Sequence, residues 1–273
     1  MSTRFRLPRH LRLRLRHAPD VVRRLARHPG WLKEYWRVSR DWRRTRAEEF
    51  DLGLYQHYFS SAATAVEALT GAPPGAYGAA RQRFSTPSLD RQEPLAEWAA
   101  GPSLQELVGV VVRLTKPEVV LETGVAMGVS SAVILEGMED NGRGHLFSLD
   151  LPGLPANAQA LTGRAVPAHL RLRWSLSLGP SRQLLPELAR AKGPIDLSVH
   201  DADHSYRGQL EEYRTVWPYL RPGGILISDD VCNPAFIDFA AGVREQPYLV
   251  PEEGDSCAVG LLAKPRGRTR PTR

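Results

Sequence analysis

Between residues 102 and 263 the apolar positions follow two alternating rhythms. Short continuous runs fall at Val119–Glu122, His145–Leu149, Leu170–Leu176, Ile195–Val199, Ile225–Ser228 and Ala258–Ala263. Their length and their content of Val, Ile and Leu predict strands buried on both faces. Between them lie stretches with helical spacing: Leu104–Leu114, Val129–Met138, Ser181–Ala191, Ser205–Tyr219 and Phe236–Val243. Strands that alternate with helices predict an α/β fold, a mostly parallel sheet covered on both faces. Such sheets bind ligands beyond the carboxyl ends of their strands, so chemistry is sought just after each strand.

Ahead of this pattern the rhythm is different. Residues 20–50 are helix-like and dense in Trp and Arg, including Trp31, Trp36 and Trp42. A second helical segment runs from about Leu54 to Leu69 and stops at Gly71. Residues 71–94 are rich in Pro, Gly, Ser and Arg, with Pro73-Pro74-Gly75 as the clearest breaker, and read as a linker or lid. The predicted organisation is a basic arm and helix over 1–50, a helical segment and linker or lid over 51–101, the α/β domain over 102–263, and a basic tail over 264–273.

Charge sharpens that division. Residues 1–50 carry fifteen Lys/Arg against five Asp/Glu, and the tail from Lys264 carries five basic residues and no acid, so the middle is net acidic. A basic body would suggest nucleic acid; an acidic body with basic ends suggests attached arms, and nucleic acid is disfavoured as a partner. The arm could be solvated, lie on an anionic surface, or serve as a targeting peptide; it lacks the apolar centre of a secretory signal. Only Cys232 and Cys257 occur, so no disulfide framework or zinc cluster is predicted and a reducing, cytoplasmic compartment is the default. No apolar stretch approaches the roughly 18 residues of a membrane span. Peripheral attachment through the arm stays open, as does a homodimer.

After the first strand comes Glu122-Thr123-Gly124-Val125-Ala126-Met127-Gly128-Val129-Ser130. Gly124 permits a tight turn and close backbone approach to a ligand, and Gly128 opens the next helix. The spacing is neither the G-x-G-x-x-G of dinucleotide folds nor a P-loop. Glu122 can accept a hydrogen bond from an ammonium group or a water. Asp150 ends the second strand, where an acid can accept both hydroxyls of a ribose. The glycine turn and this acid together indicate an adenosine-bearing cofactor. Asp201 and Asp203 follow strand four, and Asp229 and Asp230 follow strand five. Carboxylates that close repel one another, and a divalent cation such as Mg²⁺ would relieve the repulsion. His204 beside them has an ordinary pKa of about 6.5, which suits a general base.

Three segments carry a resemblance. Glu122-Thr123-Gly124 with Gly128-Val129-Ser130, Ile195–Tyr206, and Leu220–Asp230 resemble the first, fourth-strand and fifth-strand segments of class I S-adenosylmethionine-dependent methyltransferases, in the small-molecule O-methyltransferase branch. The resemblance covers about residues 102–263 and implies a Rossmann-like, seven-stranded, mostly parallel sheet. It implies that Glu122, Thr123, Gly124, Gly128, Ser130, Asp150, Ser181 and Asp201 hold S-adenosylmethionine. The catechol- and caffeoyl-type enzymes of this branch bind a divalent ion at these strand ends, which carries over to Asp201, Asp229 and Asp230. Pro180 departs from the polar residue usual in the branch and offers no polar side chain for adenine. His204 stands where the catechol-type enzymes have lysine.

The resulting expectation is methylation of a hydroxylated small molecule or a glycosyl group, with His204 and Asp201 as catalytic residues. Acceptor specificity is expected in residues 50–100 and in the loop after Asp230. Two other readings stay open: a metal-independent methyltransferase on the same fold, and a non-catalytic scaffold acting through the basic arm.

Overall fold

A computed structural model describes residues 25–46, 48, 50–85, 98–153, 157–252 and 257–266. Seven strands form one sheet: β1 (Val119–Thr123), β2 (His145–Asp150), β3 (Trp174–Leu178), β4 (Ile195–His200), β5 (Leu220–Ser228), β6 (Tyr248–Pro251) and β7 (Ala258–Ala263). Their order is β3-β2-β1-β4-β5-β7-β6, with β1 to β5 parallel and β7 antiparallel to both neighbours. The α/β, Rossmann-like, seven-stranded expectation holds. The sequence order reverses between β1 and β4, which opens a crevice at their carboxyl ends.

The apolar stripes of the helices explain the two layers. Helices α2 (Ala62–Thr70), α3 (Ala76–Arg81), α4 (Pro102–Thr115) and α5 (Val129–Asn141) cover one face, burying Val66, Tyr77, Leu104, Val108, Ile134 and Leu135. On the other face lie α7 (Ser181–Lys192), α8 (Tyr206–Val216) and α9 (Ala235–Val243), which bury Leu185, Ala189, Tyr213, Val216 and Phe236. A one-turn helix, α6 (Ala158–Leu161), sits between β2 and β3.

Several expectations change in the structure. The segment from Leu54 to Leu69 is broken: a 3-10 stretch over Leu52–Tyr58 precedes α2, whose Ser61 caps it by accepting the Thr64 amide at 3.1 Å. Within the stretch read as linker, Ala76–Arg81 is helical, because Tyr77 and Ala80 bury against α4. The third strand begins later than its apolar run, since Ala168–Arg173 forms a 3-10 turn on which Leu170 is buried. Strand β6 has no counterpart among the predicted strands. Cys232 and Cys257 are joined in a disulfide, with Cα atoms 4.7 Å apart, so unpaired thiols and the compartment inferred from them lose their support.

The basic ends are not simply arms. Pro29–Thr45 forms a helix, α1, that packs on α8, while residues 1–24 lie outside the described residues. At the other end Lys264 donates to the carbonyls of Trp217, Pro218 and Leu220 at 2.9, 3.1 and 2.7 Å, closing the turn after α8. Arg266 donates to Thr70 at 2.7 Å; residues 267–273 lie outside the described residues. No helix among the described residues is long and apolar enough to cross a membrane.

Candidate active site

Strand register builds the site. Thr123 pairs with Leu149 on one side and His200 on the other, and His200 pairs with Ser228. The next residues, Gly124, Asp150, Asp201 and Asp229, therefore stand in a row across the sheet. The row is tied by backbone bonds: Gly124 N–H donates to Leu149, Asp201 N–H to Thr123, and Asp229 N–H to His200, at 2.9, 2.8 and 2.8 Å.

A cavity of about 710 Å³ opens over this row. Gly124, Val125, Ala126, Asp150, Gly179, Pro180 and Ser181 line one end, and Asp201 to His204, Asp229, Asp230 and Glu252 the other. Helix α1 supplies Glu34, Tyr35, Val38 and Trp42 as a wall, joined by Arg46, Trp98, Ala99 and Gly101.

Gly124 has φ +84°, and a Cβ there would overlap the Asp201 carbonyl, so the turn admits glycine alone. Asp150 Oδ1 accepts the amides of Val125 and Ala126 at 3.0 and 3.4 Å, and Oδ2 accepts Thr162 Oγ1 at 3.4 Å. Burial raises the Asp150 pKa against the pull of those bonds. The carboxylate thus fixes the glycine turn and still faces the cavity, where a ribose would meet it.

The remaining residues of the glycine run are not at the cavity surface. Glu122 is buried beneath the turn, where its carboxylate accepts Ser130, Ser131 and Ser148 hydroxyls at 2.8, 2.6 and 2.6 Å. Burial outweighs these bonds and raises its pKa to about 7. Glu122 and Ser130 therefore support the turn from beneath it. Thr123 turns the other way, donating to Glu212 Oε2 at 2.6 Å, and Gly128 packs against Gly163. Glu212 also accepts from His200 Nδ1 at 2.8 Å. Burial works against the Glu212 charge, but His200 and the hydrogen bonds hold its pKa below the usual range.

At the acidic end His204 is clamped by two carboxylates. Nδ1 lies 2.7 Å from Asp230 Oδ2, and Nε2 lies 3.4 Å from Asp201 Oδ1. Burial opposes the charge, yet the two carboxylates hold the pKa well above 6.5. The neighbouring acids thus act on His204 in the direction the sequence suggested. Asp203 is turned from the cavity centre to Arg37 of α1, 3.0 Å away, and accepts the Ser205 amide at 3.1 Å. Ser205 itself caps α8.

Asp229 is 5% exposed, and its Oδ1 has no hydrogen-bond partner among the described residues. Burial, and then Asp201, push its pKa well above the usual range. An orphaned buried carboxylate oxygen among other acids is the setting a hard divalent cation fits. Ligand atoms of Asp229, Asp230 and Glu252 lie within 4.8 Å of one another. Asp201, expected in this set, does not join it among the described residues; its carboxylate faces His204.

Sequence reasoning missed Tyr35, Trp42 and Glu252. The Trp- and Arg-rich pattern of residues 20–50 was the available signal for the first two. Residues 50–100 were expected to set specificity, but among the described ones only Trp98 and Ala99 reach the cavity.

Residues 121–231 match the model of a family described as a methyltransferase domain. The match covers 111 of the chain's 273 residues, and the fold is that of a Rossmann-like methyltransferase. Catechol O-methyltransferase of Mus musculus is 28% identical over 153 residues, which are 54% of this chain and 56% of that protein. The chain thus spans little more than half the length of that relative. A protein named as an O-methyltransferase in Mycobacteroides abscessus is 29% identical over 191 residues, covering 65% of this chain and 85% of the other. In fold, the chain is similar to TomG of Streptomyces achromogenes, an O-methyltransferase involved in tomaymycin synthesis solved with S-adenosylmethionine. The TM-score is 0.51 at 19% identity, covering 77% of this chain and 98% of that one. The Bacillus cereus O-methyltransferase solved with S-adenosylhomocysteine gives 0.50 at 17% identity, covering 74% and 96%.

Proposed function

We propose that this chain transfers the methyl group of S-adenosylmethionine to a hydroxyl of a small molecule bearing vicinal hydroxyls, in a catechol or a glycosyl group. The observation that carries this reading is the single cavity with a glycine turn and Asp150 at one end and a carboxylate cluster at the other. Gly124, Asp150 and Ser181 would hold the methyl donor. Asp201, His204, Asp229 and Asp230 would face the acceptor. Trp42, edge-on to His204, gives the acceptor side flat apolar surface.

The sulfonium methyl is already electrophilic, so the protein's task is alignment and proton removal. Alignment alone can supply several kcal/mol. His204, 2.7 Å from Asp230 and 3.4 Å from Asp201, would be the group placed to take up the acceptor's proton with those carboxylates. A divalent cation at Asp229 and Asp230 would lower the acceptor hydroxyl's pKa.

The test is turnover of methyl-labelled S-adenosylmethionine with a panel of catechols and vicinal diols, beside calorimetric binding of S-adenosylhomocysteine. Label in the ether product supports the reading. Failure of Asp150→Ala to weaken cofactor binding, or of the parent to bind it, overturns it. The metal-independent alternative is separated by a chelator: unchanged turnover removes the cation from the reaction.

A further inference from the structure

The third carboxylate beside Asp229 and Asp230 comes from an unexpected place. Glu252 follows β6, and in the sheet β6 is separated from β5 by β7. Next-but-one strands lie about 9–10 Å apart. Nevertheless oxygens of Asp229, Asp230 and Glu252 come within 4.8 Å of one another.

Two features bring the chain ends together. Asp230 takes φ +47°, which turns the chain after β5 towards the start of β7, where Val231 N–H donates to Ala258 O at 2.9 Å. Cys232 and Cys257 then join these two segments covalently, and an oxygen of Asp230 and both sulfurs lie within 4.8 Å of one another. Glu252 N–H donates to Cys257 O at 3.3 Å, so the disulfide and the glutamate share one tether.

The opposite wall is shaped to receive this carboxylate. A Cβ on Gly101 would overlap Glu252 Oε1, so the missing side chain at 101 leaves room for the carboxylate in this position. Glu252 lines the same cavity as Asp229 and Asp230. Asp229 Oδ1, buried without a hydrogen-bond partner among the described residues, marks where a cation is wanted.

We propose that Glu252 is a ligand for a hard divalent cation together with Asp229 and Asp230, and that the Cys232–Cys257 disulfide is the tie that holds it in place. This rests on the cation assigned to the acceptor end above. Three carboxylate oxygens suit Mg²⁺, Mn²⁺ or Ca²⁺ over thiolate-seeking metals. Opening the tie requires a dithiol, which gives up two electrons and two protons, leaving two cysteine thiols and an oxidised dithiol. The cation would then be held by two carboxylates in place of three.

The test is Mn²⁺ binding to the full chain, read by the loss of free-ion electron paramagnetic resonance signal, with S-adenosylhomocysteine affinity and circular dichroism on the same samples. The parent should bind one Mn²⁺. Glu252→Gln should weaken that binding at least about tenfold, in the range seen for perturbed metal sites, while leaving cofactor affinity and the spectrum unchanged. The double variant Cys232→Ser with Cys257→Ser, or a dithiol added to the parent, should weaken Mn²⁺ severalfold. Parent-like Mn²⁺ affinity in Glu252→Gln overturns the ligand. Loss in Glu252→Gln with none in the cysteine variant overturns the tie. No Mn²⁺ binding by the parent overturns this proposal and the cation of the preceding section together, while cofactor binding reports separately on the methyltransferase reading.

Discussion

Arg37 of α1 places Nη2 3.0 Å from Asp203 Oδ2 on the loop after β4, a bridge across 166 positions of sequence. The same guanidinium meets Glu34 at 2.7 Å and Asp41 at 3.1 Å, with all four side chains largely buried. Burial would lower the Arg37 pKa, but Glu34 and Asp203 raise it, so the charge is permanent. This cluster fastens the helix that carries Tyr35 and Trp42 to the loop that carries Asp201 and His204.

Arg37→Ala should therefore cost about 3 kcal/mol, because it takes the cation from buried Glu34 and Asp203, while Asp41 keeps Arg40. The denaturation midpoint measures this. Adding Asp203→Asn should recover part of the loss; strictly additive losses would mean the bridge does not couple the helix to the loop.

Trp42→Ala should raise the acceptor KM about tenfold, the loss of one aromatic contact of about 1.4 kcal/mol. Trp42 lies edge-on to His204 with ring centroids 6.3 Å apart, at the acidic end of the cavity. Cofactor affinity should stay within about twofold of the parent value. Lost cofactor affinity with unchanged acceptor KM would move Trp42 to the donor end.

Glu122 predicts a pH dependence of stability. Its folded pKa of about 7 lies above the ordinary 4.5, so the native state binds the proton more tightly than the unfolded chain. Its contribution is full below about pH 4.5 and is lost as pH rises through about 7. The amplitude is up to about 3 kcal/mol from a shift of this size. Glu122→Gln should flatten this part of the profile in urea titrations between pH 5 and pH 8; an unchanged slope would mean another group is responsible.

Gly124→Ala should abolish S-adenosylhomocysteine binding measured by calorimetry. At φ +84° any side chain is strained, and the added carbon would overlap the Asp201 carbonyl. Gly142→Ala is the control: it has a similar φ of +68° but nothing within 4 Å of the added carbon. It should lose only about 1 kcal/mol and retain binding.

The sheet was legible because its strands are short apolar runs bounded by turns, and local pattern suffices for those. Strand β6 was not: Tyr248–Pro251 is four residues long and owes its strand to pairing with β7. Gly124, Asp150, Asp201 and Asp229 could be placed from sequence because parallel register sets strand ends side by side. Glu122 and His204 were placed, but not all that surrounds them. The number of serine hydroxyls around a carboxylate, and of carboxylates around an imidazole, depends on contacts between distant segments. Arg37, Trp42 and Glu252 each act across a gap in sequence, so even the Trp- and Arg-rich pattern of residues 20–50 did not say what they would meet.

By itself, then, the sequence determined the α/β class, the glycine turn and the positions of the strand-end acids, through periodicities and backbone demands that act within a few residues. Tertiary structure alone decided that α1 walls the cavity, that His204 sits between Asp201 and Asp230, and that Cys232 pairs with Cys257 beside Glu252. Burial and charge pairing set those outcomes, and both exist only once segments far apart in the chain have packed together.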